Sequence, residues 1–195
     1  LVHAKDVARD GNNPVYLTGY GGFNIARGSE YQPALPFWLA QGGIFALPNL
    51  RGGSEYGEAW HRGGMLGQKQ QTFDDMIAAA EYLIAEGYTR PERLGVAGGS
   101  NGGLLVGAVI TQRPDLFRAG ISMVPLQDML RYRLCRIGRL WIPEYGSADD
   151  PEQFRWLRAY SPYHNVREGE AYPAVLLTLG ENDSRVDPMH ARKMA

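Results

Sequence analysis

The sequence predicts an α/β fold built on a mostly parallel sheet. Five short and nearly continuous apolar runs follow one another along the chain, as expected for strands buried on both faces of a parallel sheet. Segments with helical spacing lie between these runs, and such alternation indicates a parallel sheet with helices on both faces. The 195 residues, 44% of them hydrophobic and 21% charged, suffice for one domain with its own core.

The predicted strands are rich in β-branched and other apolar residues, and glycine or proline ends several of them. In chain order the strands are VYLTGY (15–20), GIFALPN (43–49), LGVAGG (94–99), AGISMV (119–124) and AVLLTLG (174–180).

The clearest helical pattern is TFDDMIAAAEYLIAEG, residues 72–87. We expect Thr72 to cap this helix, with Asp74 and Asp75 in the first turn, where negative charge suits the helix dipole. Gly87 is expected to end it. Three further helices are predicted, over 101–112, over 151–160 and from Pro188 onwards.

Composition excludes several function classes. The net charge of −1 gives no electrostatic attraction to nucleic acid or to anionic membranes. No apolar run approaches the roughly 20 residues that span a bilayer. The single cysteine, Cys135, excludes an internal disulfide. We expect a cytoplasmic protein, although a chain that begins at Leu1 leaves a secreted or periplasmic location open.

Ser100 stands between two pairs of glycines, and this stretch points to chemistry. Residues 98–102, GGSNG, match G-x-S-x-G, with a predicted strand directly before and a predicted helix directly after. This setting indicates a nucleophile elbow, in which a sharp turn lifts the serine above the sheet and only small residues fit two positions away. The helix N-terminus there could stabilise an oxyanion. A phosphate-binding loop is disfavoured, because the G-x-x-x-x-G-K-[ST] pattern is absent.

A nucleophilic serine needs a base and an acid that orients the base. In this fold type they follow in the order serine, acid, histidine. The segment after the fifth strand offers Glu181, Asp183 and Asp187 as acids. Only His164 and His190 follow the serine, and only His190 follows the candidate acids. His190 lies at a predicted helix start and not on a loop after a further strand, so we expect it to be a structural or surface residue.

With these positions fixed, the chain resembles the catalytic α/β-hydrolase domain of the prolyl oligopeptidase family of serine peptidases. The resemblance runs almost end to end, with the blocks in family order. The blocks are GYGGFN (19–24), NLRGGSEYGEAWHRGG (49–64), FDDMIAAAEYLI (73–84), GGSNGGLLV (98–106), QRPDLF (112–117), EYGS (144–147), YSPYHNV (160–166) and DSRVDPMH (183–190).

The resemblance implies a role for individual residues. Ser100 would be the nucleophile and Asp183 the catalytic acid, and the Asn101 backbone N–H and the Tyr20 hydroxyl would form the oxyanion hole. Arg185 would hold a carbonyl of the substrate. A proline pocket, for which aromatic walls are chemically suited, would be lined by Phe23, Leu126, Trp141, Tyr145 and Val186.

Departures from the family pattern also carry expectations. Leu126 stands where a smaller β-branched residue is usual, which narrows the pocket. The family's catalytic histidine would lie beyond Ala195, and its β-propeller domain before residue 1, so residues 1–195 form a partial peptidase domain. We therefore expect this chain alone to be nearly inactive.

The sequence thus predicts a serine peptidase that hydrolyses short proline-containing peptides through an acyl-enzyme, on the carboxyl side of proline. No metal or organic cofactor is expected. One alternative is a related acylaminoacyl peptidase, dipeptidyl peptidase or esterase of the same fold. The other is a hydrolase-like scaffold without catalysis.

Overall fold

The computed structural model describes residues 1–28 and 30–195, in which five parallel strands form one sheet. The spatial order β2-β1-β3-β4-β5 puts β3 at the centre, between β1 and β4. The connection from β1 to β2 runs toward one edge of the sheet, and the later connections run toward the other edge. All five strands predicted from the sequence are confirmed; β3 has the predicted bounds, and the other four are somewhat shorter than their apolar runs. They are β1 (Val15–Thr18), β2 (Ile44–Ala46), β3 (Leu94–Gly99), β4 (Ala119–Met123) and β5 (Ala174–Thr178).

The helices include all four that the sequence predicts. The helices predicted over 101–112 and 151–160 have the expected bounds, and Pro151 begins the second of them. The other four helices were not predicted, because their four to six residues give too little periodicity to detect. The helices are α1 (Leu35–Ala40), α2 (Glu58–Arg62), α3 (Gln70–Ala85), α4 (Asn101–Gln112), α5 (Ile142–Tyr145), α6 (Pro151–Tyr160), α7 (Pro162–Asn165) and α8 (Met189–Met194).

The start of α3 differs from the prediction. Thr72 is not the N-cap, since the helix begins at Gln70 and Thr72 is buried in its first turn. The Thr72 hydroxyl donates instead to the Arg51 carbonyl oxygen at 2.7 Å, a tertiary contact that local pattern cannot reveal. At the other end the prediction holds, because Gly87 has a φ of +70° just beyond the helix.

The core lies between the central strands and the two longest helices, α3 and α4. Leu17 of β1, Phe73 and Met76 of α3, and Leu104 of α4 are all fully buried there. Eleven of the twelve residues of α4 are buried. This burial fixes the position of the first turn of α4, which follows Ser100 directly.

One feature of the strand prediction is wrong, because β5 is not buried on both faces. Within residues 1–28 and 30–195, β5 pairs with β4 alone, and Val175 and Leu176 are exposed. In β4, Gly120 and Ser122 are buried, whereas Ile121 and Met123 on the opposite face are exposed. No helix within residues 1–28 and 30–195 combines the length and apolarity that crossing a membrane requires.

Candidate active site

Ser100 occupies a sharp turn between β3 and α4, as the G-x-S-x-G spacing predicts. Its backbone has φ +58° and ψ −117°, a conformation that is costly for any residue other than glycine. A Cβ added to Gly98 would overlap the Gly102 carbonyl oxygen, and one added to Gly102 would lie 2.7 Å from the Gly19 carbonyl oxygen. The two glycines therefore allow the turn, and the surrounding backbone holds the serine in its strained conformation.

A cavity of about 200 Å³ lies in front of Ser100. It brings together residues from five separate parts of the chain, and most of these residues were predicted from the sequence. Ile25 and Leu140 are the additions that sequence reasoning missed, since neither belongs to a periodic or motif-bearing segment. The lining consists of Tyr20, Phe23, Ile25, Ser100, Leu126, Leu140, Trp141, Tyr145 and Arg185.

The inner part of the cavity is apolar and aromatic. Phe23 and Tyr145 meet edge to face, with ring centroids 5.4 Å apart and an interplanar angle of 89°. Leu126 and Tyr145 are fully buried, and Trp141 is nearly so. Rigid rings in such an arrangement form a flat-sided slot with few hydrogen-bonding groups, which suits a compact apolar ring.

Tyr20 and Asn101 lie beside the serine at the polar end of the cavity. Burial raises the pKa of the Tyr20 hydroxyl, and the nearby Ser100 hydroxyl and Arg185 guanidinium oppose that rise. The Tyr20 hydroxyl therefore stays protonated at neutral pH and can donate a hydrogen bond. Asn101 is the first residue of α4, so its backbone N–H has no acceptor within the helix.

The Asn101 side chain connects the two ends of the cavity. Its Nδ2 donates to the Tyr20 carbonyl oxygen at 2.5 Å, and its Oδ1 accepts from the Tyr145 hydroxyl at 2.7 Å. The side chain is buried, so both bonds form away from water. The Asn101 amide thus holds the Tyr20 carbonyl at the polar end of the cavity and the Tyr145 side chain at the apolar end.

Asp183 organises the loop after β5. Its Oδ1 accepts from the backbone N–H groups of Arg185 at 2.8 Å and Val186 at 3.0 Å. Arg185, which this loop carries seven residues after the end of β5, lines the cavity. Val186, predicted to line the pocket, is buried in the hydrophobic core and is not among the cavity's lining residues.

No histidine lines the cavity in the described part of the chain. His190 is buried, and its Nδ1 accepts from the backbone N–H groups of Gln127 at 3.3 Å and Asp128 at 3.1 Å. Burial lowers its pKa to about 4. These contacts agree with the structural role expected for His190, which braces the segment after β4.

A buried polar cluster behind the cavity was not foreseen. It consists of His61, Lys69 and Glu144, and we call it the Glu144 cluster. Its members come from three segments far apart in the sequence, so only the folded chain brings them together.

Residues 1–28 and 30–195 contain no group of three or more His, Cys, Asp or Glu side chains placed to hold a metal ion.

A model of the prolyl oligopeptidase family matches residues 30–195 of the chain. The chain is 48% identical to the uncharacterized peptidase y4nA of Sinorhizobium fredii, over 100% of this chain and 27% of that protein. It is 49% identical to a prolyl endopeptidase of Dictyostelium discoideum, over 94% of this chain and 24% of that protein. The chain thus spans about a quarter of the length of these relatives.

Solved structures give a similar result. One chain, from a structural and mechanistic study of two prolyl endopeptidases, has a TM-score of 0.97 and 57% identity over 98% of this chain and 28% of its own length. Prolyl oligopeptidase B from Galerina marginata has a TM-score of 0.95 and 40% identity, over 98% of this chain and 28% of that chain. These matches confirm the α/β-hydrolase fold that the resemblance implied.

Proposed function

The chain belongs to the prolyl oligopeptidase family, and from that premise we propose that it is the catalytic core of a serine peptidase that cleaves short peptides on the carboxyl side of proline. One observation carries the proposal. A serine in a strained turn at a helix N-terminus faces a slot with aromatic walls. The first feature suits a nucleophile and the second suits a proline ring.

The chemistry of the slot supports proline as the recognised residue. A proline ring is flat, apolar and free of a hydrogen-bond donor, so selection depends on shape and on stacking against rings. Phe23, Trp141 and Tyr145 offer such surfaces, and Leu126 narrows the slot. A charged or long side chain would leave its polar atoms unpaired in this environment.

In the proposed reaction, Ser100 Oγ forms a bond to the carbonyl carbon of the substrate proline, and its proton passes to a histidine. The Tyr20 hydroxyl and the Asn101 N–H donate to the oxyanion that develops. The C–N bond then breaks, and the histidine gives its proton to the leaving amine. Water attacks the acyl-enzyme in the second half, with its proton passing through the histidine back to Ser100 Oγ.

The proposal assigns the remaining roles as follows. Asp183 orients the histidine, which belongs to a segment beyond Ala195. Arg185, a cation at the cavity, donates to a carbonyl of the peptide on the acyl side. A β-propeller domain precedes the hydrolase domain and limits substrates to short peptides. The relatives' length, about four times that of this chain, is the support for these additional segments.

The experiment compares reporter peptides that differ at one position, with Pro, Ala or Arg before the scissile bond, and a simple ester. Full-length protein is expected to cleave the proline peptide with the highest kcat/KM. Ser100→Ala should lower turnover by about 10⁴-fold or more. Ser184→Ala, an exposed serine next to the proposed acid, is the matched control and should retain activity.

The contrary outcomes separate the alternatives. Turnover of the ester alone would contradict peptide specificity and favour an esterase of the same fold. Preference for the Ala or Arg peptide would contradict the proline assignment. A fluorophosphonate probe that labels wild type and Ser100→Ala equally would contradict the nucleophile and favour a scaffold without catalysis.

A further inference from the structure

Lys69 is an unusual residue to find in the interior of this domain. It is 1% exposed, and its ammonium group donates to the Gly21 carbonyl oxygen at 2.6 Å. The amine also lies 5.7 Å from the centre of the Tyr145 ring. A lysine is almost never buried to this extent unless its ammonium group is paired with another polar group, because desolvating the charge is costly.

Glu144 is the second buried charge in this region. Its Oε1 accepts from the Phe23 backbone N–H at 2.7 Å, and its Oε2 lies 2.9 Å from His61 Nε2. The Glu144 side chain is 6% exposed. Glu144 also acts electrostatically on Lys69 and favours its protonated form.

Both charges act on one loop, residues 19–24, which we call the Tyr20 loop. Lys69 holds the carbonyl of Gly21 and Glu144 holds the N–H of Phe23, so the main chain is fixed on each side of Gly22. These bonds have a charged partner and are therefore stronger than bonds between neutral groups.

The Tyr20 loop needs such support, because its backbone is strained. Phe23 has φ +59° and Asn24 φ +57°, in the left-handed region that side chains other than glycine rarely adopt. A strained segment keeps such a conformation only where its surroundings hold it. The loop carries two cavity residues, Tyr20 and Phe23, while neither Lys69 nor Glu144 lines the cavity.

We propose that Lys69 and Glu144 are positioning residues, which hold the Tyr20 loop so that the Tyr20 hydroxyl stays beside Ser100 and the Phe23 ring stays against Tyr145. This inference rests on the proposed peptidase function, for which it adds two residues that touch no substrate. Their contribution is geometric, since a displacement of about 1 Å at a reacting group can lower the rate by about 100-fold.

The test uses full-length protein with variants that remove one bond each. Lys69→Met keeps an unbranched side chain and removes the amine that donates to the Gly21 carbonyl. Glu144→Leu removes the carboxylate that accepts from the Phe23 N–H. Glu144→Gln is the conservative variant, because its side-chain oxygen can still accept from the Phe23 N–H. Lys5→Met, at an exposed lysine, is the matched control.

Two properties are measured, kcat and KM for the proline reporter and the hydrogen exchange of residues 19–25. Lys69→Met and Glu144→Leu are expected to lower kcat by 10- to 100-fold and to speed exchange in this segment by about 10-fold, with exchange in α4 unchanged. Glu144→Gln should recover most of the kcat, and Lys5→Met should match wild type.

Unchanged kcat together with unchanged exchange would overturn the proposal. So would faster exchange throughout the domain, since that result means a general structural role. If wild type itself cleaves no peptide, the proposed function fails instead. Exchange then decides the positioning claim alone, because faster exchange confined to residues 19–25 supports it and its absence refutes it.

Discussion

Burial of Lys69 predicts that part of the protein's stability increases with pH. Burial lowers the pKa of Lys69 from 10.5 to about 8. Between these two values the unfolded chain binds a proton that the folded chain does not, so the free energy of unfolding rises with pH in that window. At neutral pH the folded protein therefore carries a cost of about 3 kcal/mol for keeping this amine charged, at 1.36 kcal/mol per pKa unit.

The perturbation that isolates this cost is Lys69→Met, which removes the titrating group and keeps an unbranched side chain. The difference in unfolding free energy, wild type minus Lys69→Met, should rise by about 1 kcal/mol between pH 7 and pH 9. Glu144 and Tyr145 lie beside the amine, His61 contacts Glu144, and Tyr160 acts on Tyr145; all four groups are common to both proteins. The pKa values of both tyrosines are raised well above 10 by burial, so neither ionises in this window.

The assay is urea unfolding at several pH values, followed through the hydrogen exchange of α3, which reports on this domain within a longer protein. At pH 7 the Met variant should be about as stable as wild type. Its gain from removing a buried charge is offset by the cost of about 1–3 kcal/mol for leaving the Gly21 carbonyl without its donor. A difference that is flat with pH, or that falls, would refute the argument, because Lys69 would then titrate as it does in the unfolded chain.

Three other predictions concern the turn, the slot and the catalytic base. Gly98→Ala should lower the thermal midpoint by the equivalent of about 1–3 kcal/mol, because the added Cβ would overlap the backbone of Gly102. Gly99→Ala should change the midpoint little, because its Cβ would be 3.8 Å from the nearest atom. Equal shifts in the two variants would contradict this reasoning. Leu126→Val should widen the slot and raise kcat/KM for the proline reporter by up to about 10-fold, and a decrease would show that Leu126 contacts the ring productively. Residues 1–195 alone should cleave no reporter, and measurable turnover would point to a histidine within them.

The features that the sequence predicted well are those encoded over short distances. The turn at Ser100 needs small residues two positions away on each side, and this requirement is visible as glycine at 98 and 102. The bounds of α4 and α6 follow from apolar spacing and from Pro151 at a helix start. In the same way, β3 could be recognised from six consecutive residues.

The features that it missed depend on contacts between distant segments. Lys69 lies in a polar stretch, GQKQQT, that is typical of exposed surface, and its acceptor is 48 residues away. Glu144 binds the Phe23 N–H across 121 residues. The prediction of Thr72 as a cap is wrong for the same reason, because the Thr72 hydroxyl donates to a carbonyl 21 residues away. Local pattern contains no information on which of these partners will meet.

The Asn101 side chain gives a physical reason for linking recognition to turnover in the proposed reaction. It holds the Tyr20 carbonyl through Nδ2 and the Tyr145 hydroxyl through Oδ1, so the apolar slot and the proposed oxyanion donor share one support. A ring that fills the slot presses on Tyr145 and Phe23, and both contact the groups that place Tyr20. Binding energy from the substrate ring can therefore be used to orient the donor toward Ser100. On this argument a poorly fitting residue lowers kcat as well as raising KM.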